Sequence, residues 1–289
     1  MLWTYALVPL IWLLCTACPV GAQSGDAVRL ELETSIGADQ DLQGSEASVR
    51  RMGTTLRAAW RDWRLTYHND AFSWDCAQDL GWDTGTPWQA LHTVGVHWTK
   101  RGRLSRRWGW FARAGATAAF EHEPGRSGRA EGGGGVTYSP SPQWRLSLGA
   151  GLAAHPVRWR ALPLAGVHWR PGAPSGWSAR LGIPETAVTH RWENGLWAGA
   201  DLQAHNRLTR LADDSDVQPG GYLKIEDWSV GPVCGWDPEG PWRLRATPRY
   251  HFGREYTVFG PHGDKKSTWD LDNGWSVRFG LDYTLGWQG

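Results

Sequence analysis

A histidine and a carboxylate two residues apart, His68 and Asp70, are the side chains of this sequence best suited to proton transfer. Residues two apart on a strand share a face, so the pair projects to one side, and a His beside an acid can act as a general base. A hydrogen bond at a strand rim needs the same two residues, so both interpretations stand. The sequence contains no Gly-x-Ser-x-Gly elbow and no metal-ligand spacing among its ten His. We therefore predict no catalytic residue, no metal and no cofactor, and keep a rim-sited hydrolase as an alternative.

Arginine is the second residue type that indicates a function, because it alternates with apolar residues in several segments. Such alternation places the arginines on one face of a strand. On that face they would either line a water-filled channel and favour anions, or pair with acids and hold the wall together. Glu31, Glu33, Asp201 and Asp282 are the available counter-charges. The predicted lumen-facing residues are Arg51, Arg57, Arg64, His68, Asp70, Arg145, Arg243, Arg245, Arg249, Arg278 and Asp282.

The last strand, from Trp275 to Trp287, indicates which kind of sheet carries these faces. Every second residue is apolar, and the residues between are small, polar or charged. Trp at both ends of an apolar face is typical of a strand that crosses a bilayer, since Trp favours the two interfaces. Such strands must close into a barrel, because an open edge in hydrocarbon leaves backbone groups unsatisfied. The predicted fold is all-β, a single antiparallel transmembrane β-barrel.

Turn lengths support this fold and orient it. Short turns at residues 61–62, 99–107, 139–143, 170–176, 193–195 and 237–241 alternate with longer polar connections at 37–47, 73–87, 121–131, 206–221 and 254–274. This asymmetry predicts short periplasmic turns and longer extracellular loops. We expect 14 strands, or 12 if residues 183–185 do not form a turn. A membrane-interface girdle flanks the short turns and comprises Trp60, Trp63, Trp98, Trp108, Trp144, Trp169, Trp177, Trp192, Trp197, Trp236, Trp242 and Trp287.

The chain start predicts export. Residues 1–22 resemble a cleaved signal peptide, which leaves residues 23–289 as the barrel domain; lipidation at Cys18 is the alternative. No later apolar run is long enough for a transmembrane helix, and a net charge of +1 argues against nucleic acid. A count of 22 Trp and 37 Gly favours an all-β chain. Cys76 and Cys234 are expected at opposite ends of the barrel and therefore unpaired.

Four segments resemble a family of uncharacterised Gram-negative outer-membrane β-barrel proteins, defined only as a domain of unknown function. They are residues 159–167 (WRALPLAGV), 181–186 (LGIPET), 227–232 (DWSVGP) and 250–255 (YHFGRE), the last joined by Leu271 and Asp272. The resemblance covers most of the predicted mature chain. It implies an outer-membrane barrel and no activity, so no catalytic residue is transferred to this sequence.

The prediction for function is a porin-like outer-membrane barrel that passively conducts small hydrophilic solutes, with the arginine excess favouring anions. One alternative is a structural or adhesive barrel whose lumen is closed by Arg–acid pairs. The expected partners are outer-membrane lipid, the β-barrel assembly machinery and periplasmic chaperones. The sequence does not decide the solute or the oligomeric state.

Overall fold

The computed structural model describes residues 27–82, 85–170, 175–182 and 185–286, and most of them lie in β-strands. The predicted signal peptide, Cys18, the turn at residues 183–184 and Trp287 lie outside the described residues. Within these ranges the helical structure is one short 3-10 turn, Ala77–Leu80. No helix in the described part of the chain is long and apolar enough to cross a membrane.

The described residues form sixteen strands in chain order. They are β1 Val28–Gly37, β2 Gln40–Asp41, β3 Ser48–Trp60, β4 Trp63–Asp75, β5 Ala90–Arg103, β6 Trp108–Phe120, β7 Gly128–Ser141, β8 Trp144–His155, β9 Arg158–Trp169, β10 Gly176–Gly182, β11 Glu185–Arg191, β12 Leu196–Arg210, β13 Tyr222–Trp236, β14 Trp242–Phe259, β15 Lys265–Leu271 and β16 Gly274–Leu285.

Fourteen of these strands close into one antiparallel barrel. The closure is made by β1, which pairs with β16 on one side and with β3 on the other. The short strands β2 and β15 pair with β3 and β14 outside this ring. The predicted count of 14 is confirmed, and the alternative of 12 is wrong because β10 and β11 do form a hairpin.

The outer face of the barrel is apolar. Cross-strand partners share a face, so the pairing of Trp60 with Trp63 and of Leu148 with Ala165 carries the apolar set from strand to strand around the outside. Leu148 is the most exposed leucine of β8, at 66%. A continuous apolar exterior between rings of aromatic residues is the surface of a membrane barrel.

The two ends of the barrel differ, although less uniformly than predicted. The end with the six short connections also holds the start of β1 and the end of β16; we call it the short-turn end. At the opposite, long-loop end, β14 runs on to Phe259 and pairs with β15, so much of the predicted loop at 254–274 is a hairpin. At that same end, β8 and β9 are joined by residues 156–157 alone. Pairs of strands therefore continue their backbone hydrogen bonds beyond the apolar belt, and this shortens the predicted loops.

A bulge in β14 changes which residues point inward. The β13–β14 register shifts between Glu226 and Trp228, and opposite the shift Gly253 has a φ of +58°, a value that glycine adopts without steric cost. Below the bulge the inward residues are odd-numbered and end with His251. Above it, Tyr256 and Val258 pair with the inward positions of β13. Strict alternation would have turned both side chains outward.

The lipid-facing register predicts a depth-dependent cost for charge. Leu148 lies four residues above Trp144, close to the middle of an apolar belt about 25 Å high. We expect Leu148→Arg to lower the free energy of unfolding in lipid vesicles by about 2–4 kcal/mol. The neighbouring Ser147→Arg, on the inward face, is the matched control and should cost much less. Equal losses for both variants in urea titrations would contradict the assigned faces.

Candidate functional site

The candidate site is the interior of the barrel. A cavity of about 1050 Å³ lies between the short-turn end and the middle of the barrel. Ten arginines and six carboxylates line it, which leaves an excess of positive charge. The carboxylates are Glu31, Glu33, Glu185, Asp201, Asp237 and Asp282, and the arginines are Arg29, Arg57, Arg64, Arg170, Arg180, Arg191, Arg243, Arg245, Arg249 and Arg278.

The strand register places all eleven predicted lumen-facing residues on the inward face. Arg51, Arg57, Arg64, His68 and Asp70 are cross-strand neighbours on β3 and β4. Arg145 on β8 is inward, opposite His168. The remaining five lie on β14 and β16, where each pairs with another inward position: Arg243, Arg245, Arg249, Arg278 and Asp282.

Ten of the predicted girdle tryptophans lie on the outward face, and Trp197 does not. Trp197 pairs with Arg191 and with Gly235, both inward, and its ring lines the cavity. The outward position at that level of β12 is Leu196, which pairs with Trp236. After the turn that precedes β12, the inward and outward positions are shifted by one residue from those predicted, so that Leu196 is outward and Trp197 inward. The absence of a side chain on Gly235 makes room for the indole of Trp197.

An ion-pair cluster covers the wall formed by β1, β3, β14 and β16. Glu31 accepts hydrogen bonds from Arg57 at 2.5 Å and from Arg245 at 2.8 Å. Glu33 pairs with Arg245 at 3.0 Å and with Arg278 at 3.3 Å. Because each carboxylate is shared between two arginines, the cluster fixes the spacing of four strands.

Asp70 is the centre of a second cluster, nearer the long-loop end. Its side chain is fully buried, and its two oxygens accept hydrogen bonds from Arg51 at 2.8 and 3.0 Å. Arg207 of β12 donates to the same carboxylate. His68 presents Nε2 to Asp70 at 3.0 Å and Nδ1 to Thr55 at 2.7 Å. The His–Asp pair thus lies inside an ion cluster, and this arrangement favours the structural interpretation over a general base at an open rim.

A third group of polar contacts joins β12, β13, β14 and β16 at mid-height. Arg249, almost completely buried, donates to Ser229 at 2.8 Å and to Asp201 at 2.5 Å. His251 lies between Asp227 at 3.1 Å and Ser276 at 2.8 Å. Paired polar side chains therefore link these four strands on this side of the barrel.

Above the Asp70 cluster an apolar core closes the barrel axis; we call it the outer cap. It combines inward residues of the strand ends with residues of three loops and of the short strand β15, and consists of Leu42, Ala47, Val49, Phe72, Trp88, Leu91, Leu211, Leu223, Ile225, Tyr256, Val258 and Leu271. Trp88 is 1% exposed and contacts the rings of Phe72, Trp74 and Tyr256. The sequence analysis missed the outer cap, although the inward series of β4 does change from Asp70 to Phe72 and Trp74.

A clamp across the barrel holds the outer cap against one wall. The end of β12 bends inward, so that Arg210 forms a parallel bridge with Phe120 of β6. The Glu121 N–H donates to the Arg210 carbonyl at 3.0 Å, and the Glu121 carboxyl accepts from the Ala212 N–H at 2.9 Å. The long connection after β12 is thereby anchored to the opposite side of the barrel.

The clamp predicts a pH dependence of loop docking. Burial raises the pKa of the Glu121 carboxyl, with Asp214 and Asp216 adding to this and the Ala212 N–H opposing it. A raised folded-state pKa contributes stability below the pKa of a free glutamate, about 4.3, and loses it as the pH rises through the folded value. We expect the protection factor of the Ala212 N–H, which is its exchange rate corrected for the intrinsic pH dependence of amide exchange, to be higher near pH 4 than near pH 8.

Two variants of Glu121 separate the charge from the hydrogen bond. Glu121→Gln keeps an acceptor for the Ala212 N–H and should remove the pH dependence of its protection factor. Glu121→Ala leaves that buried N–H without a partner, which costs about 1–3 kcal/mol, so exchange should be faster at every pH. A pH dependence that persists in Glu121→Gln would assign it to another group.

Other chemistries find little support in the described residues. No group of three His, Cys, Asp or Glu side chains within them is arranged to hold a metal ion. Cys76 follows β4 at the long-loop end and Cys234 lies near the short-turn end of β13, and both are free thiols, as predicted.

The chain is similar to several β-barrels of known structure but matches no protein family. No family model matches the chain, and no curated protein matches it. The uncharacterised family that the sequence resembles is thus not matched, and what the comparisons find are outer-membrane β-barrels of known structure. Solved structures that resemble it include an outer membrane channel from Pseudomonas putida F1, at 7% identity and a TM-score of 0.42, covering 93% of this chain and 100% of that one.

Two further structures are similar at the same level. The Pseudomonas putida toluene transporter TodX is 11% identical, with a TM-score of 0.34 and coverage of 92% of this chain and 90% of that one. The KdgM porin in complex with disordered oligogalacturonate is 6% identical, with a TM-score of 0.32 and coverage of 88% and 98%. At these scores the resemblances carry no inference about solutes or residue roles.

Proposed function

We propose that this protein is an outer-membrane channel for small hydrophilic anions, with the short-turn end in the periplasm and the long-loop end outside. The observation that carries the proposal is the charge of the cavity, where arginines outnumber carboxylates by ten to six. Charged side chains that line a water-filled passage favour ions of opposite sign. An apolar exterior between aromatic rings supports the location in the membrane.

Two arginines support a role beyond holding the wall together. Arg64 and Arg170 line the cavity, and no carboxylate among the described residues pairs with either of them. A wall held by ion pairs alone needs no unpaired arginine. An unpaired guanidinium facing a wet cavity is available to a passing carboxylate or phosphate.

Ion selectivity tests the proposal. In planar bilayers under a KCl gradient, we expect a reversal potential of the sign that marks chloride as the more permeant ion. The double substitution Arg64→Gln and Arg170→Gln should move the permeability ratio towards unity. The control Arg106→Gln removes a charge from the turn between β5 and β6, outside the cavity, and should leave the ratio unchanged. Cation selectivity in the unmodified protein would contradict the proposal.

A closed structural barrel is the second candidate, and the outer cap is the observation that favours it. The outer cap and the Asp70 cluster together block the axis on one side of the interior. A barrel of this kind inserts into a bilayer without passing current. Current steps from protein whose folding has been verified would therefore exclude it.

A further inference from the structure

One part of the barrel wall is lower than the rest. The strands β10 and β11 have seven residues each, whereas a bilayer-spanning strand needs about 9–11. At about 3.3 Å per residue and a tilt near 40°, seven residues rise roughly 18 Å, which is less than the roughly 25 Å of an apolar belt. The wall formed by this hairpin therefore ends within the outer part of the belt.

The strand ladders show the same gap. β9 pairs with β10 only from Gly166 to Trp169, and β12 pairs with β11 only as far as Gln203 opposite Glu185. Within the described residues, the facing edges of 158–165 in β9 and 204–209 in β12 pair with no strand on that side. We call this gap, bounded by those two edges, the wall notch.

Polar groups line the wall notch. At its base, Thr186 Oγ1 contacts both the N–H and the carbonyl of Gly182, at 3.2 and 3.0 Å, and Arg180 pairs with Glu185 at 3.1 Å. On its sides, Arg160 of β9 lies within electrostatic reach of Glu226 of β13. Backbone edges and ion pairs at membrane depth are tolerated only where they meet water or protein. The wall notch therefore faces water or protein rather than lipid.

The cavity extends to the base of the notch, since Glu185, Gln203 and Ala204 are among its lining residues. At the height of Glu185 and Gln203, the cavity therefore meets the wall notch at the side of the barrel and the outer cap along the barrel axis.

We propose that the wall notch between β9 and β12 is the outer opening of the passage, so that hydrophilic anions leave sideways past Arg160 rather than along the axis. This inference rests on the proposed channel function. The outer cap then need not move during conduction. The arginine at the notch continues the positive charge of the cavity to the exit, which is the chemistry expected of a path for small carboxylates or phosphates.

Thiol blocking tests the position of the opening. In a Cys76→Ser, Cys234→Ser background, we would place one cysteine on each side of the wall notch, with Leu162→Cys and Asn206→Cys. A bulky, charged methanethiosulfonate reagent should reduce the single-channel current severalfold in both variants. The matched control is native Cys76 in a Cys234→Ser background, since Cys76 lies on the loop that carries Trp88. Its modification should leave the current unchanged.

The outcomes separate this inference from the channel itself. Suppose that modification of Cys76 reduces the current and modification at positions 162 and 206 does not. The opening would then lie on the barrel axis, and the proposed exit through the wall notch would be wrong. Current that no modification affects would also overturn it, provided that labelling is verified by mass. A folded, unmodified protein that passes no current would instead refute the proposed function. Heat-modifiable gel mobility establishes that each variant has folded.

Discussion

Asp70→Ala is expected to destabilise the folded barrel by about 3–5 kcal/mol, the cost of removing one partner from a buried ion cluster. The Asp70 carboxylate is fully buried and neutralises Arg51 and Arg207, which approach it from opposite sides of the interior. Without it, two inward guanidiniums would face each other with His68 beside them. We expect a large loss of heat-resistant, folded protein and a lower urea midpoint in lipid vesicles.

An exposed ion pair provides the control for Asp70. Arg50 and Asp39 also form a two-pronged pair, but both side chains are largely solvent-exposed. Exposed pairs contribute little because water screens them, so Asp39→Ala should leave the urea midpoint nearly unchanged. Asp70→Asn should fall between the two, since the amide keeps one acceptor oxygen. If Asp70→Ala lost no more stability than Asp39→Ala, the cluster would not hold the barrel together.

Trp88→Ala is expected to have the second large effect, because it empties the centre of the outer cap. Replacing a buried Trp by Ala typically costs about 3–5 kcal/mol, and the loop that carries Trp88 is held by its contacts with Trp74 and Tyr256. A cavity on the barrel axis should also add a second path for ions. We expect lower stability together with a higher or noisier single-channel conductance.

Trp275→Ala is the control for Trp88. Trp275 lies on β16 near the same end of the barrel, away from the wall notch, and its ring is outward and 58% exposed. This substitution removes the same atoms from the membrane side and should leave the conductance of the channel unaltered. A Trp88→Ala variant that is destabilised but conducts as before would show that ions do not use the axis even when the outer cap is loosened, which agrees with exit through the wall notch.

The barrel fold can be predicted from the sequence because the outward face of each strand contacts lipid and the inward face contacts the polar interior. Alternation in β16, from Trp275 to Leu285, and the paired Trp60 and Trp63 of β3 and β4 identify the outward set directly. Strict alternation also places Arg245 and Arg249 inward. Lipid excludes charge from the outward positions inside the apolar belt, so this signal recurs from strand to strand and needs no knowledge of tertiary contacts.

The remainder of the interior depends on contacts between residues distant in the chain. The partners of Asp70 come from β3 and β12, and Arg207 is separated from Asp70 by 137 residues. The bulge at Gly253 breaks the alternation and turns Tyr256 inward, and the turn before β12 does the same for Trp197. The inward bend of β12 appears only as the bridge between Arg210 and Phe120. No local pattern encodes these departures.

Outer-membrane fractionation combined with heat-modifiability tests most directly whether the protein is a closed barrel in the outer membrane. Membranes separated by density would be run on gels with and without boiling. We expect the protein in the outer-membrane fraction, with a band that shifts on boiling, as a closed barrel does when it unfolds. A soluble periplasmic band that does not shift would contradict the lipid-facing exterior, and with it the channel and its side opening.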